Sequence, residues 1–529
     1  MYLTIYDLSG MQRYIFSTGK LKEQVGASQI IHDLLYRHLP EVLGKDPEAW
    51  EEEDLLNFKE QDAHIVYIGG GNAVVLYEDE GHMQSRTRQL QQKVLELTGN
   101  KLRLCFASEE VKDGSSNYYK VYTELMKKMA VSKHHPSPIR LATGFAIGEH
   151  DPITLEPITL IKPEGDKDKA EYGAVSRIQK RRSFKAVKKD PEKEGTRAYA
   201  TEFERFRKED RKSFVAVVHI DGDSMGRQIE GAVEKFSKEK DFENAMLEMR
   251  AISQEIDRLY RKTMDAAIDK IYPSGKSVED ELPLRPLISD GDDITFLIEA
   301  EKAFDFVEAF MSKLKENRNC AGSYPKMEKH SFKVSASAGV VFVHDKFPFY
   351  VAYDIAEELC KSAKEIKKDH EHKVSTVDFH IVQSGMRSGL EEYRTENYIK
   401  QSNSKTYRLN LRPYFFHEDD KAKELNSYKN FKELRSRLRK AVEGEEIARG
   451  KLKALRNAYA QSVGEAQRHY EFMLERDEGR ILRKIAKHAF TEGGEGFDEG
   501  YAYFFDALEV MDFEVDDGPI REEREVETV

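Results

Sequence analysis

One stretch leaves the backbone few choices. Leu284-Arg285-Pro286-Leu287-Ile288 and Ile294-Thr295-Phe296-Leu297-Ile298 are two apolar runs separated by Ser289-Asp290-Gly291-Asp292-Asp293. Apolar, β-branched runs joined by Asp-Gly predict a β-hairpin, because that dipeptide favours the type I′ turn whose twist matches paired strands. The tip then carries Asp292 and Asp293. A third run, Phe214-Val215-Ala216-Val217-Val218-His219-Ile220, reads as a buried strand, so Asp221 of Asp221-Gly222-Asp223 falls where the backbone leaves the sheet. Neighbouring strands lie about 5 Å apart, so pairing of these strands would bring Asp221 and Asp292 to one cation. Clustered carboxylates repel one another, and a Mg ion shared with substrate phosphates is the usual remedy. Either cluster alone is equally an ordinary surface turn; together they point to metal-assisted chemistry.

The order of elements repeats along the chain. Around the acid hairpin, the strand from Phe214, the hairpin, a helix over Ala303 to Leu314, a strand over Phe332 to Val343, a helix from Tyr350 to Lys367 and a strand over Val374 to Val382 spell β-α-β-β-α-β. Earlier come a strand over Leu3 to Tyr6 ending at Asp7, a helix over Ser28 to Leu39, and strands His64 to Ile68 and Ala73 to Tyr77 around Gly69-Gly70-Gly71-Asn72. A helix over Met83 to Leu97, a strand over Leu102 to Ser108, a helix over Tyr118 to Ala130 and a strand over Arg140 to Ile147 follow. The expected fold class is α+β, with two ferredoxin-like palm domains over 1–150 and 213–400, a charged segment over 151–212, and a helical C-terminal domain over 401–529 ending in an acidic tail from Asp512. In the first copy glycines and Asn72 replace the hairpin acids. That copy is not expected to build a metal site, and its glycine tip suits close approach of a second nucleotide or is simply a flexible turn.

Composition narrows the function classes. With 84 Lys+Arg against 96 Asp+Glu, the net charge is −12, which excludes a globally basic nucleic-acid binder. The basic residues of Lys162 to Lys212, among them Arg177, Lys180, Arg181, Arg182, Lys185, Lys188 and Lys189, make a local stretch for RNA or an acidic partner, or else a solvated linker. Cys105, Cys320 and Cys360 form no paired motif; they read as buried small apolar residues in a reducing compartment, and no zinc is expected. His134-His135 reads as loop decoration. No apolar stretch reaches the ~20 residues of a membrane span and no signal core opens the chain, so cytoplasmic residence without membrane contact is expected.

Several motifs in order carry a resemblance. Asp7-Leu8-Ser9-Gly10-Met11-Gln12-Arg13-Tyr14-Ile15-Phe16 with Gly26-Ala27-Ser28, Ile68-Gly69-Gly70-Gly71-Asn72, His219 to Gly226, the acid hairpin, Ser337-Ala338-Gly339-Val340-Val341, Pro348 and Ala363-Lys364-Glu365 resemble the large signature subunit of type III CRISPR effector complexes. The likeness covers both palms, to about residue 385. It implies ATP conversion to cyclic oligoadenylate second messengers upon target RNA recognition, in a complex with other effector subunits and guide RNA. The second palm also resembles GGDEF-type nucleotide cyclases. From that resemblance Asp221, Asp292 and Asp293 are the expected catalytic and metal residues, holding two divalent ions, Mg or Mn, with the Gly222 carbonyl as a further ligand. Ser224, Met225 and Gly226 amides, with Lys364 and Lys368, would hold the triphosphate of ATP. The acceptor nucleotide would lie near Asp7, Ser9, Gly10, Gly69, Gly70, Gly71 and Asn72.

Three departures qualify the resemblance. Met1 stands directly before the first palm strand and no His-Asp pair precedes it, so the family's nuclease domain and DNA cleavage are not expected. The usual cysteine-ligated zinc element between the palms has no cysteines. The hairpin reads Asp290-Gly291-Asp292-Asp293 where the family has Gly-Gly-Asp-Asp, which bears on rate or substrate. The competing readings are a stand-alone nucleotide cyclase or dinucleotide synthase of antiviral signalling, and a non-catalytic scaffold.

Overall fold

The computed structural model describes residues 1–52, 55, 62–112, 116–134, 148–161, 171–189, 197–206, 214–273, 281–320, 322–369, 374–382, 389–402, 404–416, 426–486 and 500–513. The first sheet is made of β1 (Tyr2–Ser9), β2 (Ala63–Gly69), β3 (Asn72–Tyr77) and β4 (Arg103–Glu110), in the order β2-β3-β1-β4. Short α1 (Met11–Ile15), α2 (Leu21–Asp33), α3 (Leu39–Val42), α4 (Glu80–Thr98) and α5 (Tyr118–His134) connect or flank them. The helix expected from Ser28 starts earlier, at Leu21, and passes through a π-helical turn over Leu34–His38 before α3. The strand expected over Arg140 to Ile147 lies outside the described residues, as does His135; His134 ends α5.

The segment between the palms contains paired β5 (Thr159–Ile161) and β6 (Glu171–Gly173) and then α6 (Val175–Lys189). Reading this segment as a solvated or RNA-facing linker is wrong for its central residues. Arg177 is 4% exposed and bridges Glu23 and Asp151, while Arg181 also reaches Glu23. Lys180 is 1% exposed; its Nζ donates to the Tyr14 carbonyl at 2.5 Å and to Ser17 Oγ at 2.8 Å. α6 crosses α2 at backbone contact: a Cβ on Gly26 would lie 1.8 Å from the Lys180 carbonyl oxygen, which buries the basic side chains of α6 that face α2. Buried ions at so close a crossing persist only when paired. The side chains of Lys188 and Lys189 lie outside the described residues.

Burial lowers the Lys180 ammonium from 10.5 to about 7. Between those values the unfolded chain binds the proton more tightly, so stability rises with pH through that window and the full cost is present below about 7. Urea unfolding from pH 7 to 10 is therefore expected to show wild type gaining stability relative to Lys180→Met, whose profile is flatter.

The second sheet holds β7 (Phe214–Gly222), β8 (Leu284–Asp290), β9 (Asp293–Glu299), β10 (Ala336–His344), β11 (Thr376–Ile381) and, beyond short paired β12 (Ile399–Ser402) and β13 (Lys405–Arg408), β14 (Tyr414–Phe415). Its order is β14-β11-β10-β7-β9-β8. Counted within each palm, both sheets show the ferredoxin-like order, with β11 added parallel to β10. The helices are α7 (Met225–Glu239), α8 (Phe242–Ile271), α9 (Ala303–Arg318), α10 (Pro325–Lys329) and α11 (Phe349–Glu365). On β7, alternating residues enter separate cores. Ala216, Val218 and Ile220 join a core with α8 and α9 residues and first-palm residues such as Leu3, Ile5 and Val66, whereas Val215 and Val217 join a second core with Tyr6, Leu8 and α11 residues.

The palms are joined by side chains from both. Arg250 of α8 donates to the Ile65 and Val66 carbonyls of β2. Gln12 of α1 donates to the Tyr353 hydroxyl of α11 at 2.6 Å, and the Phe16 ring packs at a tilt, its centroid 4.6 Å from that of Tyr353 and 5.1 Å from that of Phe349.

After α12 (Leu390–Tyr398), a helical region of α13 (Tyr428–Glu443), α14 (Arg449–Gln461), α15 (Val463–Leu474), α16 (Asp477–Ala486) and α17 (Phe505–Val510) docks on the second palm. The expected stripe Phe431, Leu434, Leu438 and Ala441 is buried, and Arg412 is buried against Asp506 and Glu509. At the head of the acidic tail, Asp512 is held by Arg449 and Lys453 at 2.7 and 3.0 Å. Cys105 and Cys360 are buried as expected, but Cys320 is exposed because it follows the end of α9. No helix among the described residues is long and apolar enough to cross a membrane.

Candidate active site

Asp221 and Gly222 end β7, with Asp221 opposite Ser337 and Gly222 opposite Ala336 of β10. The Asp-Gly-Asp cluster then divides. The Asp223 amide donates to the Ser335 carbonyl, which turns its carboxylate inward to Ser335 Oγ, Ser337 Oγ and Lys367 Nζ at 2.5, 2.8 and 2.5 Å. Asp223 is thus 3% exposed and anchors the strand end, whereas Asp221 stays partly open.

The hairpin pairs Asp290 with Asp293 and turns through Gly291-Asp292. Only Gly291 of that turn has positive φ, +61°, so it is not the type I′ turn that Asp290-Gly291 suggested, which needs positive φ at both central residues. The shift by one residue places Asp292 at the tip, against the end of β7. The Gly222 amide donates to the Asp292 carbonyl at 3.3 Å, and a Cβ on Gly222 would fall 2.5 Å from Asp292 Oδ2 and 2.7 Å from the Tyr260 hydroxyl. Asp293 lies one residue before the Ile220–Ile294 pair, its Oδ1 3.5 Å from His219 Nδ1.

Electrostatic crowding follows from this placement. Burial, then Asp221, push the Asp292 carboxyl up to about 6; burial, then Asp221 and Asp292, push Asp293 up to about 8. Burial lowers His219 to about 4, so its imidazole is neutral while Nδ1 meets Thr295 Oγ1 at 2.9 Å. Asp293 Oδ1 and the Tyr260 hydroxyl are shut off from solvent without hydrogen-bond partners. An all-oxygen, anionic donor set with an orphaned buried carboxylate oxygen fits a hard divalent cation.

Lys364, in the last turn of α11, pairs with Asp221 and donates to the Gly222 carbonyl at 3.0 Å. Burial opposes its charge, but Asp221 outweighs it and the ammonium is raised. Asp221, Asp292 and Asp293 do not bring their ligand atoms within 4.8 Å of one another; among the described residues only the exposed Glu78 and Asp79, with half-buried His82, do so. The side chain of Lys368 lies outside the described residues. Ser224, at +54°, precedes α7 without a side-chain cap, so the amides of Met225 and Gly226 open that 15-residue helix.

The first palm's hairpin stands opposite. Gly70 and Gly71 both have positive φ, +61° and +73°, and a Cβ on Gly291 would lie 3.6 Å from the Gly70 amide nitrogen. Between the hairpins a cavity of about 540 Å³ is lined by Met11, Gln12, Gly70 and Gly71 from one palm and Asp290, Asp292 and Asp293 from the other. Asp7, Ser9, Gly10, Gly69 and Asn72 do not line it, nor do Asp221, Gly222, Ser224, Met225, Gly226 and Lys364. Asn72 instead braces its own turn through Nδ2 to the Gly70 carbonyl at 3.0 Å.

Sequence reasoning missed a second lysine. Asp7, opposite Asn72, is held by Lys133 at 2.6 Å, from the last turn of α5, just as Lys364 from the last turn of α11 holds Asp221. The internal repeat carried that signal, since α5 follows the fourth strand of its palm as α11 does.

Residues 214–372 match the family described as Cas10/Cmr2, second palm domain. No curated protein matches the chain. Among solved structures, the crystal structure of an apo Csm1-Csm4 cassette is similar over 97% of this chain and 69% of that one, at 13% identity and a TM-score of 0.50. The cassette in complex with one ATP is similar over 97% and 70%, at 12% identity and a TM-score of 0.50. At such identity the likeness shows a shared fold.

Proposed function

We propose that this chain, whose residues 214–372 are a second palm domain of the Cas10/Cmr2 kind, is the large subunit of a type III CRISPR effector complex and makes cyclic oligoadenylate or related adenylyl messengers from ATP upon target RNA recognition. The reading is supported above all by Asp292 and Asp293 crowding the end of β7 beside Asp221, at a cavity whose other wall is a second palm. That a similarly folded chain is solved with one ATP is consistent with it. Other effector subunits, with guide and target RNA, are the proposed partners, and the boundaries of the palms and the helical domain follow the repeat.

Asp221, Asp292 and Asp293 would hold two Mg or Mn ions, with the Gly222 carbonyl as a further ligand. Bound, such ions neutralise phosphate charge and acidify an attacking hydroxyl. The chain's own groups do the rest. Amides of Ser224, Met225 and Gly226 at the start of α7, with Lys364 and Lys368, orient the triphosphate. The acceptor, seated against the first palm near Asp7, Ser9, Gly10 and Gly69 to Asn72, directs its 3′-hydroxyl at the α-phosphorus. As that P–O bond forms, the bond to the bridging oxygen breaks, pyrophosphate leaves, and the hydroxyl proton passes to Asp293. Two facing palms permit chain growth or ring closure.

Mass spectrometry of products from each nucleoside triphosphate, with Mg or Mn and with or without partner subunits and target RNA, tests the reading; no adenylyl product under any condition would sink it. Cation binding has an independent readout. Saturation at 100 times the dissociation constant contributes about 2.7 kcal/mol, so millimolar Mg is expected to raise the apparent melting midpoint of wild type by several degrees and leave Asp292→Asn/Asp293→Asn unmoved.

A further inference from the structure

The residue that breaks the hairpin motif has its own partner across the cavity. Strand register equates Gly69-Gly70-Gly71-Asn72 with Asp290-Gly291-Asp292-Asp293, since Gly69 pairs with Asn72 as Asp290 pairs with Asp293. The counterpart of Asp290 is therefore a glycine. Its carboxyl does not turn to solvent: Oδ2 lies 3.5 Å from where a Cβ on Gly71 would be, and burial raises the group while the Gly71 and Gly70 amides, which favour its anion, oppose that shift. Oδ1 is shut off from water without a partner.

Consecutive turn amides on positive-φ glycines make a concavity for an anionic oxygen, and phosphate is a common occupant of such sites. Here an internal carboxylate fills it. A phosphate arriving there would have to displace Asp290 and then sit beside Asp292 and Asp293. The guanidinium groups lining the cavity are engaged: Arg261 with Asp257, and Arg285 with the Tyr199 and Ala200 carbonyls.

We infer that Asp290 closes the first palm's amide pair to phosphate and so selects an acceptor that presents an uncharged face, such as a sugar hydroxyl, to the glycine hairpin. The amide pair is a latent anion site, and the carboxylate is its built-in occupant. Only the acceptor part of this inference rests on the function proposed above.

Calorimetric titration of the full chain with inorganic tripolyphosphate, without divalent ions, tests it in wild type, Asp290→Gly, Asp290→Ala and Asp290→Asn. The Gly and Ala variants empty the amide pair and are expected to bind one more tripolyphosphate per chain than wild type. The Asn variant keeps an oxygen at the amides and is expected to match wild type in number. An equal number of sites in all four proteins overturns the proposal. So does tighter binding at an unchanged number, because removing any nearby negative charge would cause that. In the active complex, with ATP and adenosine competing as acceptors, Asp290→Gly is expected to shift products at least about tenfold toward 5′-triphosphate ends; an unchanged ratio overturns the acceptor claim. Absence of any turnover in wild type would sink the proposed function and leave the binding count standing.

Discussion

Replacing Asp292 and Asp293 together with alanine is expected to lower adenylyl transfer by at least about 10²-fold, the scale on which preorganised electrostatic groups act. The same change is expected to stabilise the protein at alkaline pH when divalent ions are absent. Both carboxyls are raised from 3.8, to about 6 and about 8, by burial and then by Asp221. A raised carboxyl binds its proton more tightly in the folded state, so wild type loses stability as pH climbs from about 4 to about 8. The alanine variant escapes that loss. Thermal unfolding at pH 5 and pH 8 in chelator, beside product assays with Mg, checks both halves. Undiminished turnover in the double variant would show that the chemistry lies elsewhere.

Gly222→Ala is expected to be nearly as damaging, although it adds one methyl group and removes no functional atom. The new Cβ would stand 2.5 Å from Asp292 Oδ2, 2.8 Å from Asp292 Cβ and 2.7 Å from the Tyr260 hydroxyl. Tyr260 is wholly buried, so Asp292 and the hairpin tip must move. Overpacking of this kind costs about 1–3 kcal/mol, and a displacement near 1 Å at reacting groups costs about 10²-fold in rate. The expected result is a folded protein with a lowered melting midpoint and about 10²-fold less product. Wild-type turnover would mean that the tip does not need its observed position.

Much of this was legible because local rules and tertiary demands agree. The continuous apolar, β-branched run Phe214 to Ile220 and the apolar runs around the acid hairpin predicted strands that the sheet contains. The turn was misplaced by one residue, since Asp-Gly chemistry says nothing of the register set by the partner strand β7. The segment from Lys162 failed differently: its charges looked solvated, yet Arg177 and Lys180 are buried because Glu23, Asp151 and the Tyr14 carbonyl, remote in the chain, receive them. Charge patterning registers only neighbours in sequence.

The chain's order of residues determined the two-palm repeat, the acids at a strand end and a hairpin tip, and the loss of acids from the first hairpin, because periodicity and turn chemistry act over a few residues. Tertiary structure alone decided that Asp223 leaves the site for Lys367, that lysines at two helix ends hold Asp7 and Asp221, and that Asp290 faces Gly71 of the first palm's glycine turn. Such pairings depend on how sheets and helices face one another, and no local preference encodes which side chain will arrive from the other palm.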